Sequence, residues 1–88
     1  MDLQARLDTL LAVAEEIGLD IRKEPLGGTG GGLCVLRGRR ILFVDTAADL
    51  EERYDAVLAA LAPLPALDQH FLPPEIRDDI DRQRATDT

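Results

Sequence analysis

A chain of 88 residues is one domain's worth, and a domain this short buries only about 60 to 65% of its unfolded surface, so a large enclosed ligand pocket is not expected. Apolar residues make up 45% and charged residues 31%, which excludes wholesale disorder; aromatics are confined to Phe43, Phe71 and Tyr54. Seventeen acids against ten bases give a net charge of −7, which argues against general binding to nucleic acid or anionic membranes.

From Leu3 the apolar positions Leu7, Leu10, Leu11, Ala14 and Ile17 fall three and four apart, the stripe of an amphipathic helix. Asp2 is placed to cap its start, and Gly18 with Leu19 to close it in a Schellman-type stop. The opening Met1-Asp2-Leu3-Gln4 lacks the basic and apolar regions of a secretory leader, and no later apolar run is of membrane-spanning length. A cytoplasmic location is the expectation.

Leu19 to Leu26 reads as a polar strand suited to a sheet edge. Five glycines among residues 27 to 32 then disfavour a regular element and read as a flexible connection. Leu33-Cys34-Val35-Leu36-Arg37 and Arg40-Ile41-Leu42-Phe43-Val44 read as two strands of a hairpin with Gly38-Arg39 as its loop. That register sets Arg37 opposite Arg40. It also places Cys34, Leu36, Ile41 and Phe43 on one face, with Leu33, Val35, Leu42 and Val44 on the other.

Thr46-Ala47-Ala48-Asp49 resembles a capping box. The stripe Leu50, Tyr54, Val57, Leu58 and Leu61 describes a second helix, stopped by Pro63 and Pro65. Pro74 suits the start of a third helix reaching Arg84, anchored by Ile76 and Ile80, before a frayed tail over 85–88.

The predicted fold class is therefore α+β: a helix, a three-stranded antiparallel meander, a helix and a short C-terminal helix, in one domain over residues 1–84. The order is similar to that of double-stranded-RNA-binding domains. Their basic phosphate-contacting surface is missing from this acidic second helix, so the similarity concerns order alone.

A three-stranded sheet apolar on both sides needs two covers. The two longer helices supply one. The other is expected from Leu67, Phe71, Leu72, Ile76 and Ile80 folding back, or from a second copy of the chain meeting Leu33, Val35, Leu42 and Val44 or the residues opposite them.

The features with chemical character are few. Gly28, Gly30 and Gly31 lie in a loop whose amides suit an anion, but the strand that follows supplies neither the helix N-terminus nor the Gly-Lys-Ser/Thr of a phosphate loop. Arg37, Arg39 and Arg40 cluster at the hairpin tip and suit a phosphate or carboxylate. Cys34, the single cysteine, reads as a buried core thiol, and nothing in the spacing brings the lone His70 to it. No metal site or cofactor is expected. Residues 45 to 81 carry ten acids and only Arg53 and Arg77 as bases, so the last helix presents an acidic surface that either docks on its own chain or lies in a partner's groove.

The leading expectation is a non-catalytic protein-interaction or accessory module, self-associating through an apolar sheet face. The alternative is an anion or phosphorylated-ligand binder that uses the glycine loop and the hairpin arginines.

Overall fold

The structure is a computed structural model and describes residues 1–86. Helix α1 spans Leu3–Ile17. Asp2 caps it by accepting the Ala5 amide at 2.8 Å, and Gly18 closes it with φ 104°. The Leu19 amide bonds Ala14 O and the Gly18 amide bonds Glu15 O, the pairing of a Schellman stop. Helix α2 spans Leu50–Leu61 and is capped by Asp49, whose carboxylate takes the Glu52 amide at 2.8 Å. The expected Thr46 cap is displaced by three residues, because residues 46 to 48 are held in a turn against Asp45.

Strands β1 (Asp20–Glu24), β2 (Gly31–Leu36) and β3 (Arg39–Asp45) form a mixed sheet in the order β1-β3-β2. The hairpin of β2 and β3 is antiparallel, but β1 runs parallel to β3, Ile21 beside Leu42. The expected antiparallel meander is corrected on this point, while the expected order of elements holds. The physical reason lies in residue character. β3 carries the apolar run Ile41-Leu42-Phe43-Val44 and takes the central place, where both edges are paired, while β1 has four charged residues in five and suits an edge. The six residues between β1 and β2 are long enough to step over the end of β3 and leave a slot for it.

The hairpin turn is Arg37-Gly38 rather than Gly38-Arg39. Both residues have positive φ, 53° and 78°, as a type I′ turn demands. Leu36 therefore pairs with Arg39, Cys34 with Ile41 and Leu33 with Leu42. The shift equals two residues along the partner strand, so each side chain keeps the face expected of it.

Leu42 and Val44 face the helices and share one core with Leu7, Leu10 and Leu11 of α1 and Tyr54, Val57, Leu58 and Leu61 of α2. A 3₁₀ turn over Pro65–Gln69 and helix α3 over Pro74–Thr86 complete the chain. Helix α3 runs two residues beyond the expected end; positions 87 and 88 of the expected tail lie outside the described residues. Leu67, Leu72, Ile76 and Ile80 are buried, yet they join the helical side of this core instead of crossing to the far face of the sheet. The 3₁₀ turn packs on α1, and α3 on α2. Phe71, expected among the covering residues, is 87% exposed. Burial of Ile76 and Ile80, each worth about 1.5 to 3 kcal/mol, docks α3 on its own chain, which answers the question of its acidic surface in favour of self-docking.

Candidate functional site

With α1, α2, the 3₁₀ turn and α3 on one side, the opposite side of the sheet has no covering layer among the described residues. Its side chains follow from strand alternation: Asp20 and Arg22 from β1, Ile41 and Phe43 from β3, and Gly32, Cys34 and Leu36 from β2. Leu36 is 55% exposed and Cys34 is exposed. The reading of Cys34 as a buried core thiol is thereby corrected: its face of the sheet carries no helices to bury it. Two shallow hollows mark this side. One, of about 270 Å³, has Leu36 and Ile41 as its floor and Asp20, Arg22, Arg37 and Arg39 as its rim. The other, of about 280 Å³, lies over Gly32 beside Phe43, between Leu26 and Cys34.

The face expected to associate, with Leu33, Val35, Leu42 and Val44, is the inward one. Leu42 and Val44 belong to the core and Leu33 packs against it. Val35, at the end of its strand, escapes the helices and is 70% exposed. On the outer face Ile41 is buried among its neighbours and Phe43 is half-buried, so the apolar surface open to solvent is Cys34 and Leu36 on that face together with Val35 at the free edge of β2. The two sheet edges differ sharply. β1 is charged at four of its five positions, whereas Gly31-Gly32-Leu33-Cys34-Val35-Leu36 carries neither charge nor proline. An edge of the second kind lacks the usual devices that discourage strand addition.

The three hairpin arginines diverge. Arg37 sits at the turn with φ 53°. Arg39 pairs with Asp20 at 2.8 Å on the outer face. Arg40 lies on the inner side, where it donates to Ile17 O at the C-terminus of α1 at 3.4 Å. Arg37 and Arg39 share the rim of the 270 Å³ hollow with Arg22 and Asp20, whereas Arg40 is held on the other face, so the three do not converge.

The glycine loop does hold an anion, and it is the chain's own. The buried carboxylate of Asp45 accepts the backbone amides of Leu26 at 2.7 Å, Gly28 at 2.6 Å, Gly30 at 3.2 Å and Ala47 at 2.9 Å. Burial works to raise its pKa, but the amides of Leu26, Ala47, Gly30 and Gly28 outweigh it and bring the group down to about 2. With Gly28 and Gly30 spent on Asp45, the alternative of an external phosphate in this loop loses its donors. Gly31 serves packing: a Cβ there would stand 2.0 Å from Phe43 O.

Cys34 and His70 lie on opposite sides of the molecule. His70 meets Glu16 of α1 at 3.0 Å, while Cys34 faces away from the helices. Among the described residues no group of three or more His, Cys, Asp or Glu is placed to hold a metal ion, and no helix is long and apolar enough to cross a membrane.

One buried polar cluster was not expected. Asp79 of α3 is nearly buried and accepts from Arg6 Nη1 of α1 at 3.0 Å, from Tyr54 Oη of α2 at 2.6 Å and from Arg82. Burial and the adjoining Asp79 carboxylate push the Tyr54 hydroxyl upward, so it stays a donor. Arg6 is also raised, its burial outweighed by the bond to Asp79. The cluster floors a cleft of about 340 Å³. With its carboxylate saturated by three donors it acts as a brace between three helices. A sequence signal existed: Asp79 follows Ile76 by three and precedes Ile80 by one, which puts an acid on the buried stripe.

No family model matches the chain, and comparison with curated proteins and with solved structures gives no match.

Proposed function

We propose that this chain is a non-catalytic protein-interaction module that self-associates through its sheet, at the free edge of β2 and the outer-face side chains that border it. The observation that carries the reading is the one-sided layering: four helical segments pack on one face, while Cys34, Val35 and Leu36 stand in solvent on a strand with neither charge nor proline. Apolar side chains exposed along an unpaired strand cost free energy in water and are relieved by association. Against the anion-binding alternative stand the pairing of Arg39 with Asp20, the separation of Arg40 from the other two hairpin arginines and the internally satisfied Asp45 loop.

The test is molar mass by light scattering over a dilution series, with Leu36→Asp beside the wild type. Leu36 is exposed, so the substitution leaves the core untouched. Mass that rises with concentration for the wild type and stays monomeric for the variant supports the reading; a wild type monomeric throughout removes it.

A further inference from the structure

The neutral edge of β2 has a knob at one end and a notch at the other, and the two are symmetric about its middle. Leu36, 55% exposed, lies at the C-terminal end on the outer face, where it also floors the hollow bounded by Arg22 and Arg39. Gly32, four residues earlier on the same face, has no side chain, and the hollow of about 280 Å³ lies over it, walled by Leu26, Cys34 and Phe43. Cys34 is the midpoint. On the inner face the same symmetry relates Val35, 70% exposed, to half-buried Leu33.

The backbone agrees with the side chains. The two-residue turn makes Leu36 and Arg39 the hydrogen-bonded closing pair of the hairpin, so by antiparallel alternation the amides and carbonyls of Leu33 and Val35 point away from β3. Among the described residues, the hydrogen bonds made outside helices and strands include none from β2.

Resting on the interaction reading above, we infer that the partner is a second copy of this chain, and that the two β2 strands pair antiparallel about a two-fold axis at Cys34, making a six-stranded sheet. Leu33 then exchanges backbone hydrogen bonds with Val35 of the other copy. Cys34 stands opposite its own counterpart in a non-hydrogen-bonded pair. Leu36 enters the hollow over Gly32 of the other copy, beside Phe43. An isologous contact of this kind needs one surface that complements itself. A strand without charge meets it with no like-charge opposition, unlike the β1 edge.

Cys34 makes the geometry measurable, since it is the sole cysteine. A non-hydrogen-bonded antiparallel pair holds its Cα atoms about 4.5 Å apart, inside the range of about 4.4 to 6.8 Å that a disulfide spans. Treating the dimer with copper-phenanthroline is expected to yield a Cys34-linked dimer in high proportion. In a Cys34→Ser background, mixing Gly32→Cys with Leu36→Cys chains is expected to give a cross-linked heterodimer, and neither chain alone to give a homodimer. Gly32→Val supplies the converse. A Cβ at Gly32 meets nothing within 4 Å, so the fold accepts it, while the hollow for Leu36 is filled and dimerisation weakens by about tenfold or more. Dimeric mass without either cross-link would overturn this register and leave self-association standing. A wild type monomeric throughout would overturn both.

Discussion

Asp45 Oδ2 stands 2.6 Å from the amide nitrogen of Gly28, and this one bond shows how an acidic residue at the end of the central strand organises the glycine loop that crosses it. The loop is a short chain of backbone donors wrapped on a carboxylate, and its course decides where β2 begins.

Asp45→Asn is therefore expected to destabilise far more than an exposed acid would. The amide group brings two donors to a site that supplies only donors, so the backbone amides lose acceptors. The melting temperature should fall by roughly 10 °C, read by circular dichroism.

The same residue predicts an acid limb. Its folded pKa of about 2 lies below the reference 3.8, so its contribution is fully present above pH 4 and is lost as pH falls toward 2. Denaturant titrations at pH 5, 3 and 2 should show stability falling in that window, and Asp45→Asn should lose less of its own. Equal losses in the two proteins would assign the acid limb to other groups, Asp68 beside Arg77 and Arg84 among them.

Neighbouring glycines are expected to behave oppositely. Gly31→Ala forces a Cβ to within 2.0 Å of Phe43 O at a φ of 102°, and at least 2 kcal/mol or so of stability should be lost. Gly32→Ala has open space and should change monomer stability by less than about 0.5 kcal/mol. Chemical denaturation of both variants checks the contrast.

Docking of α3 is predicted to be an integral part of the fold. Ile80→Ala removes a fully buried anchor and should cost about 2 to 5 kcal/mol. Tyr54→Phe deletes one donor to Asp79 and should cost about 1 to 3 kcal/mol. Hydrogen exchange in α3 should rise in both; unchanged protection would detach this helix from the core as described.

Much of this was readable from the chain and some was not. Helix α1 was legible because its stripe, its Asp2 cap and its Gly18-Leu19 stop are all local. The face of every hairpin residue was legible too. The turn was not, since Gly38 serves either hairpin turn equally and the choice is made by long-range partners. The expected register sets Asp45 opposite Gly32 and carries its carboxylate along β2, away from the loop amides; the observed register puts Val44 against Gly31 and leaves Asp45 under the loop. The charged residues of β1 and the apolar run of β3 were a local signal for an edge and a central strand, but the parallel direction of their pairing followed from the loop between β1 and β2. The open face was foreseen as a problem of coverage, but the residues named first for it, Leu33, Val35, Leu42 and Val44, lie on the covered side, because the sequence does not say on which face of the sheet Leu67 and Ile80 will land. The partners of Asp79 lie as far away as Arg6, and only tertiary contact joins them.

Salt provides a check on the kind of association. Two chains of net charge −7 repel, so contact through an uncharged strand should tighten as salt screens that repulsion. An association that weakens with salt would point to complementary charges at the contact instead.

The measurement that tests the central claim most directly is molar mass by light scattering across a dilution series at low and high salt, for the wild type and for Leu36→Asp. The account predicts a wild-type mass approaching twice that of the 9.6 kDa chain at high concentration and at lower concentrations in high salt, with the variant staying monomeric. A wild type that stays monomeric across the series, or a dimer that Leu36→Asp leaves unchanged, would contradict it.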